Sequence, residues 1–372
     1  MIYLDNAATT RPCDAAVEAI TKALTTDWGN PSAQYRFGID AARLLRNARQ
    51  SVAEALGAET DRVFFTSGGT EADNWAIFST AERLGKRGKH IVTTAVEHHA
   101  VLHPMQKLQE RGFEVTYLQP DSFGSVSVER LQAALRPDTI LVSVMMVNNE
   151  SGAVMPIEAM AKLTHRLCPN ALFHTDAVQG FFKVPFRART LGADLISVSG
   201  HKVHAGKGVG ALYMAKNLPP LIHGGGQESG LRSGTENLPM IAGFGAACKA
   251  QLPTRLASVA EQTRLKKLLQ ALLSEIEGVT LLGAQDAPHI VNLAVGGLRS
   301  QGLLNALQEQ GFCVSAGSAC SKGHRSHVLE AMGVAPQLID GSIRVSLSSE
   351  TTEEEVRAFA AALPQCIHSL GR

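Results

Sequence analysis

Short apolar, β-branched runs alternate with longer segments of helical periodicity between about residues 62 and 214. The runs predict strands at 62–66, 90–95, 114–118, 140–147, 171–176, 194–199 and 210–214. The segments between them predict helices near 70–85, 99–111, 127–136 and 157–167. Continuous apolar strands are typical of a sheet that is buried on both faces. The alternation therefore predicts an α/β fold with a large, mainly parallel sheet.

The pattern changes after residue 239. Helices are predicted at 236–250 and 255–276, and later at 301–310, 326–333 and 352–369, with short strands in VTLLG, HIVNLAV, FCVS and SIRVSL. These elements predict a smaller α+β unit, and 372 residues are enough for two packed units. A ligand is expected in the cleft between the units.

Charge and cysteine usage exclude several functions. Lys plus Arg number 35 and Asp plus Glu 34, which gives no electrostatic reason to expect nucleic acid as a partner. No apolar stretch is long enough to predict a membrane span, and the first residues lack the features of a secretory signal. The six cysteines show no zinc spacing, so we expect reduced thiols, no metal site and a cytoplasmic protein.

Lys202 lies in SVSGHKVHAGKGVGALY, just after a predicted strand. A buried amine with a lowered pKa is a nucleophile, although a surface lysine in a glycine-rich loop fits this segment equally well. HTDAVQG favours the first interpretation, because Asp176 ends the preceding strand and could pair with the ring nitrogen of pyridoxal phosphate. The alternative for Asp176 is an N-cap of the segment that begins at Ala177.

Three further strand ends carry polar residues. SGGTEADN, residues 67–74, opens a helix whose N–H groups suit a phosphate, although ordinary capping also explains it. EHHAV, residues 97–101, offers an imidazole for ring stacking and proton transfer, or two histidines that face solvent. VNNESG, residues 147–152, offers amides for a ring hydroxyl, or a simple turn. Neither a Walker A loop nor a GxGxxG dinucleotide motif is found.

Cys320 and Arg344 are the candidate reactive groups of the smaller unit. Cys320 lies in CVSAGSACSKGHRSH, where small neighbours leave the thiol accessible and nearby cations favour the thiolate. Arg344 lies in the alternating strand SIRVSL and could bind an amino-acid carboxylate, or face solvent.

These residues together resemble a known family, the cysteine desulfurases of the NifS/IscS-like group within the class V aminotransferases. The motifs that carry the resemblance run in family order from residue 3 to about 347: YLDNAATT, GNPS, SGGTEADN, EHHAV, VNNESG, HTDAVQG, SGHKVHAGKGVG, GGGQE, RSGTEN and SAGSAC. The resemblance implies the pyridoxal-phosphate-dependent transferase fold, which is aspartate aminotransferase-like. It also implies a large domain at 13–250 and a small domain that combines 1–12 with 251–372.

The resemblance implies a role for each residue around the cofactor ring. Lys202 would bind pyridoxal 5'-phosphate covalently and later remove the substrate α-proton. Asp176 would pair with the ring nitrogen, and His98 would stack on the ring and take part in proton transfer. Gln179 and Asn149 would lie near the ring hydroxyl.

The phosphate would be held by the glycine-rich turn with Gly69 and Thr70, together with Ser199 and His201. Thr235, in RSGTEN, would complete this site from a partner subunit, which implies a homodimer.

Arg344 would bind the carboxylate of L-cysteine together with Asn30. Cys320 would take the substrate sulfur as a persulfide, release L-alanine and pass the sulfur to an acceptor protein or an iron–sulfur scaffold. Tyr35 stands where the family often has histidine, and the segment after Cys320 also departs from the family pattern. The identity of the acceptor is therefore open. The alternatives are a selenocysteine lyase, a cysteine sulfinate desulfinase and a non-catalytic scaffold with this fold.

Overall fold

The computed structural model describes residues 1–284, 286–316 and 325–371. Its strands within these ranges are β1 (Ile2–Tyr3), β2 (Val63–Thr66), β3 (His90–Thr94), β4 (Glu114–Leu118), β5 (Thr139–Ser143), β6 (Leu172–Asp176), β7 (Leu195–Ser199), β8 (Gly210–Met214), β9 (Val279–Leu282), β10 (Ile290–Val295), β11 (Phe312–Cys313), β12 (Ser315–Ala316) and β13 (Ser342–Ser346). Its helices are α1 (Asp14–Thr25), α2 (Arg36–Leu56), α3 (Gly69–Leu84), α4 (His99–Glu110), α5 (Val128–Ala134), α6 (Ile157–Leu167), α7 (Ala188–Leu191), α8 (Leu238–Gln251), α9 (Arg255–Ser274), α10 (Ser300–Glu309), α11 (His327–Ala331), α12 (Pro336–Asp340) and α13 (Glu353–Ser369).

The large sheet has the strand order β2-β8-β7-β6-β5-β3-β4. The strands from β7 to β4 pair in parallel, while β8 is antiparallel to both β7 and β2. The connection from β7 to β8 has only ten residues, which is too short for the crossover that a parallel pair requires. The prediction of a mainly parallel α/β sheet is confirmed. The carboxyl ends of β2, β3, β5, β6 and β7 therefore share one edge.

Helices cover both faces of this sheet and bury all of its strands except the edge strand β4, which is partly exposed. On one face, α3 and α4 pack through Trp75, Ile77, Val101 and Met105 against Leu141, Leu172 and Leu195. On the other face, α2, α6 and α8 pack through Leu45, Val52, Met160 and Phe244 against Val92, Val142 and Phe173. Burial on both faces explains why the strands are apolar without alternation.

A second, antiparallel sheet has the order β12-β13-β10-β9 and packs against α9, α10 and α13. The N-terminal segment joins this part of the molecule, because β1 pairs with β11 and Asp5 forms a bridge with Ser346. A capping box of Thr352 and Glu355 begins α13. The domain limits at residues 12/13 and 250/251 stay predictions.

The structure differs from the sequence prediction at several places. The helices α1 and α2 precede the region in which the alternation is visible, and they pack on α8. The strand predicted at 140–147 ends at Ser143. Beyond it, single hydrogen bonds from Val144 N to His174 O and from Met146 N to Asp176 O keep the chain beside β6. In the region predicted as helix 326–333, α11 spans only His327–Ala331.

Candidate active site

A cavity of about 360 Å³ lies at the carboxyl edge of the large sheet. Ten of the residues singled out from the sequence line it: Gly69, Thr70, His98, Asn149, Asp176, Gln179, Ser199, His201, Lys202 and Arg344. The sheet order explains this convergence, because β2, β6 and β7 end at this edge and the following turns carry the side chains. The cavity lies where the two sheets of the molecule meet.

Lys202 ends a short 3₁₀ turn, Gly200–Lys202, that directly follows β7. Its Nζ donates to the main-chain oxygens of Ala7 and Ala8, both at 2.6 Å. Burial and, after it, the positive charge of Arg344 lower the pKa of Lys202 from 10.5 to about 8, while the carboxyls of Asp5 and Asp176 act in the opposite direction. The amine is therefore more readily deprotonated near neutral pH than an ordinary lysine, and more nucleophilic.

Asp176 is the last residue of β6 and is only 5% exposed. Its Oδ1 accepts a hydrogen bond from Val178 N at 2.8 Å. Burial raises the pKa of Asp176 to about 7, and the neighbouring carboxyl of Asp73 raises it further. A buried carboxylate without a cation beside it is costly, so Asp176 is prepared to pair with a positively charged ligand group.

Beneath Asp176 lies a buried polar network that connects α3 to β5, β6 and β7. The imidazole of His174 bonds to Ser143 Oγ at 2.8 Å and to Ser197 Oγ at 3.0 Å. Its Nε2 is 3.5 Å from Oδ1 of Asp73. Burial lowers the pKa of His174 to about 4, so this ring is neutral in the folded protein.

His98 is the N-cap of α4, and its Nδ1 accepts a hydrogen bond from Ala100 N at 3.1 Å. Because Nδ1 is an acceptor, the neutral ring carries its proton on Nε2. Burial and, after it, the charge of Lys202 lower the pKa of His98 to about 4. The ring is therefore a neutral, flat surface on the cavity wall with an N–H donor at Nε2.

The N-terminus of α3 forms a second part of the cavity. Gly68, the N-cap, provides no side-chain cap, so the first N–H groups of α3 are left for a ligand. A Cβ at Gly69 would lie 2.7 Å from Val178 Cγ2, which shows how closely the cavity wall approaches the turn. Ser199 and His201 face the same space, and His201 Nδ1 is 3.2 Å from Thr9 Oγ1. These donors suit a phosphate group.

The amide of Gln179 is held on two sides. Its Nε2 donates to Ala7 O at 2.8 Å, and its Oε1 is 3.2 Å from Nε2 of His289. Asn149 lines the cavity nearby, and its main-chain oxygen accepts a hydrogen bond from Arg344 Nη1 at 2.9 Å.

Arg344 is 8% exposed, in the middle of β13, and faces the cavity. Its Nη2 donates to Asp5 Oδ1 at 3.0 Å and to Ser315 Oγ at 3.3 Å. Its buried Nε has no hydrogen-bond partner in the described residues. A buried guanidinium with an unused donor is suited to bind a carboxylate. The solvent-facing alternative for Arg344 is therefore wrong.

Two of the residues that sequence analysis proposed do not line the cavity, and a third is outside the described residues. Asn30 is exposed in the connection after α1, where its Oδ1 accepts from Ser32 N, and it does not line the cavity. Thr235 is exposed as well, as a residue with a role across a subunit boundary would be before assembly. Cys320 lies outside the described residues. The roles of all three stay predictions.

Sequence reasoning missed several groups that line the cavity. The carbonyl oxygens of Ala7 and Ala8 hold the Lys202 amine, and a main-chain acceptor has no signal of its own in a sequence. Asp73 also lines the cavity. It lies three residues after Thr70 on α3, so helical spacing could have placed both on one face.

Within the described ranges, no helix has the length and apolar character to cross a bilayer. The same ranges contain no group of three or more His, Cys, Asp or Glu side chains arranged to hold a metal ion.

The comparisons assign this sheet and its cavity to the class-V aminotransferases, which have a pyridoxal-phosphate-dependent transferase fold. The sequence profile described as aminotransferase class-V matches residues 2–359. Cysteine desulfurase IscS of Methanosarcina thermophila is 42% identical over 378 residues, which cover 99% of this chain and 92% of that protein. A cysteine desulfurase of a Nostoc species is 41% identical, with 100% of this chain and 94% of the relative covered.

A solved structure described as a NifS-like protein superposes with a TM-score of 0.94 at 37% identity, and 99% of each chain is covered. The chain belongs to the aminotransferase class-V family and, within it, to the cysteine desulfurases of the NifS/IscS-like group. The resemblance that the sequence motifs carried is confirmed.

Proposed function

We propose that this protein is a pyridoxal-phosphate-dependent cysteine desulfurase, which converts L-cysteine to L-alanine and leaves the sulfur as a persulfide on Cys320. The observation that carries the proposal is a buried amine and a buried carboxyl in one cavity, Lys202 and Asp176, each with a pKa shifted toward neutrality. The named relatives support the choice of substrate, since they are cysteine desulfurases over nearly the whole chain.

The residues of the cavity fit the cofactor. The uncapped N-terminus of α3, where a Cβ at Gly69 would fill the available space, suits the phosphate group. The carboxyl of Asp176 suits a protonated ring nitrogen, because that cation would remove the cost of burying its charge. Lys202 suits covalent attachment through its amine. His98 offers a ring face, and Gln179 an amide, between these groups.

When bound, pyridoxal phosphate supplies an electron sink for the carbanion that forms at the substrate α-carbon. The protein provides the base and the orientation. Lys202 Nζ would be the base that accepts the α-proton. Asp176 would pair with a protonated ring nitrogen, and the Nε2–H of neutral His98 would be available for proton transfer. Arg344 binds the substrate carboxylate and thereby fixes which bond at the α-carbon faces Lys202.

The thiolate of Cys320 attacks the substrate sulfur, so that an S–S bond forms as the C–S bond breaks. Basic residues after Cys320 in the sequence favour its thiolate form. A homodimer would bring Thr235 of one subunit to the phosphate site of the other. The persulfide would pass to an acceptor protein or an iron–sulfur scaffold. The described chain contains five free cysteines, which supports a reducing, cytoplasmic environment.

The decisive experiment compares Cys320→Ser with Cys313→Ser, a control at a half-buried free cysteine seven residues earlier in the chain. We expect Cys320→Ser to bind pyridoxal phosphate and L-cysteine but to release no sulfide under reducing conditions, whereas Cys313→Ser releases sulfide normally. Full sulfide release by Cys320→Ser would refute the role of this thiol. An alanine-release assay with L-cysteine, selenocysteine and cysteine sulfinate tests the substrate.

Attachment of the cofactor is tested separately with Lys202→Ala. Borohydride should fix pyridoxal phosphate to the wild-type protein but not to this variant. Fixation that persists in Lys202→Ala would place the covalent attachment elsewhere. A purified wild-type protein that takes up no pyridoxal phosphate would instead support the non-catalytic scaffold.

A further inference from the structure

His289 is a buried imidazole just before β10 that belongs to none of the sequence motifs of the site. It is 1% exposed, and its Nε2 is 3.2 Å from Oε1 of Gln179. The same glutamine donates from Nε2 to Ala7 O at 2.8 Å, and Lys202 Nζ donates to that oxygen at 2.6 Å. A continuous series of hydrogen bonds therefore connects His289, in the smaller unit, to the amine that would hold the cofactor.

The direction of each hydrogen bond in this series follows from chemistry. Ala7 O can only accept, so the NH₂ group of the Gln179 amide must face it. The amide oxygen then faces His289 and can only accept, so Nε2 of His289 must donate. The imidazole consequently carries its proton on Nε2. A reversed Gln179 amide would place two oxygens, its own and that of Ala7, against each other.

The surroundings of His289 keep it neutral. Burial lowers its pKa well below the ordinary value, and four cationic side chains lower it further: Lys183, Lys266, Arg344 and Lys202. Its other ring nitrogen, Nδ1, is buried without a hydrogen-bond partner in the part of the chain that the structure describes. An unpaired buried nitrogen costs stability. The imidazole is therefore a poor choice for stability alone, and its one hydrogen bond is directed at Gln179.

We propose that His289 is a positioning residue that locks the Gln179 amide in one orientation and thereby controls which groups contact the Lys202 amine. Without the Nε2 donor, only the hydrogen bond to Ala7 O holds the amide, so the amide can leave Ala7 O and turn Oε1 into the cavity that contains Lys202 Nζ. That oxygen is an additional acceptor for the protonated amine, so it favours the ammonium form, which is not a nucleophile. The proposal rests on the proposed role of Lys202 as the attachment point of pyridoxal phosphate.

The pH dependence of cofactor attachment distinguishes a change in the protonation of Lys202 from the titration of the neighbouring groups. Three carboxyls, one guanidinium and two imidazoles act on or line the cavity with Lys202: Asp5, Asp73, Asp176, Arg344, His98 and His201. Burial lowers the pKa of both imidazoles to about 4, and burial raises that of Asp176 to about 7. The two imidazoles titrate well below the range near pH 8 in which Lys202 loses its proton, and Asp176, which titrates close to that range, is the same in every variant compared.

The test uses His289→Met, which removes the donor at similar size, and His289→Gln, whose side-chain NH₂ takes the place of Nε2. Lys266→Met is the control for disturbing the same buried region, since Lys266 is 2% exposed and donates to Ala287 O. Two properties are measured on the purified proteins by absorbance: the dissociation constant of pyridoxal phosphate and the pH midpoint of its covalent attachment. The melting temperature of each apoprotein is measured alongside.

We expect His289→Met to weaken pyridoxal phosphate binding roughly tenfold and to raise the pH midpoint, without a matching loss of melting temperature. His289→Gln should restore both properties, and Lys266→Met should keep the wild-type midpoint. A wild-type midpoint and affinity in His289→Met, or equal losses in the Met and Gln variants, would overturn the proposal. A wild-type protein that does not attach pyridoxal phosphate at Lys202 would overturn the proposed function itself, and this inference with it.

Discussion

Asp73 is a carboxyl of α3 whose charge state sets a measurable property of the apoprotein. It is 1% exposed, and its Oδ1 has no hydrogen-bond partner in the described residues. Burial raises the pKa of Asp73 from 3.8 to about 7, although a hydrogen bond with Ser197 offsets part of this rise. The nearby His174 ring is neutral and offers no compensating charge. We therefore predict that Asp73 is protonated in the folded apoprotein at pH 5 to 6.

The consequence for stability has a definite sign and size. Between about pH 4 and pH 7 the folded state keeps the Asp73 proton, whereas the unfolded state releases it. As the pH rises through this window, the free energy of unfolding therefore falls by about 1.4 kcal/mol for each pH unit. The fall amounts to ~4 kcal/mol over the full shift of about three units. Asp73→Asn keeps the size and the hydrogen bonding of the side chain but removes this titration.

The assay is urea unfolding of the apoprotein at pH 5, 6 and 7. As the pH rises, the free energy of unfolding should fall less steeply for Asp73→Asn than for the wild type. The two slopes should differ by about 1.4 kcal/mol per pH unit. Asp138→Asn is the matched control, because Arg136 lowers the pKa of the exposed Asp138 carboxyl and it does not titrate in this window. Parallel curves for wild type and Asp73→Asn would show that Asp73 is already ionised at pH 5 and would refute the reasoning.

Two further predictions concern the cofactor and substrate sites. Gly69→Ala places a methyl group 2.7 Å from Val178 Cγ2, and the overpacking of about 1–3 kcal/mol should weaken pyridoxal phosphate binding tenfold or more in a spectroscopic titration. Gly296→Ala, where the nearest atom would be 3.7 Å away, should bind normally; equal affinities of the two variants would contradict the argument. Arg344→Gln should raise the KM for L-cysteine roughly 10- to 100-fold in an alanine-release assay while pyridoxal phosphate still binds, and an unchanged KM would exclude Arg344 as the carboxylate ligand.

The fold was predictable where a local pattern carries it. Each of the seven strands of the large sheet was predicted within a few residues, and six of them are buried on both faces, which makes a strand continuously apolar. The antiparallel direction of β8 has no such signal, although the ten-residue connection from β7 could have revealed it. The helices α1 and α2 were missed because they form no part of the alternation, and α2 is recognisable mainly from its cap, Gly57, at φ 64°.

The candidate site was predictable where chemistry requires a particular side chain at a strand end. Lys202 and Asp176 follow this rule, since each lies at or just after the carboxyl end of a buried strand. The contacts that tune them do not follow it. The Ala7 carbonyl reaches Lys202 from a segment 195 residues away, and His289 reaches Gln179 across 110 residues. Such contacts depend on how the two sheets pack, which no local pattern encodes.

The division of the cavity between the two sheets has a functional consequence. The groups suited to the cofactor, Asp176, Lys202 and the N-terminus of α3, are fixed to the large sheet and to its buried core. Arg344 belongs to the antiparallel sheet, and its ion pair with Asp5 keeps it within the cavity. Under the proposed function, the cofactor groups and the carboxylate ligand therefore belong to different sheets. A small displacement between the sheets would move Arg344 and, through the Ala7 and Ala8 carbonyls, would also change the environment of the Lys202 amine.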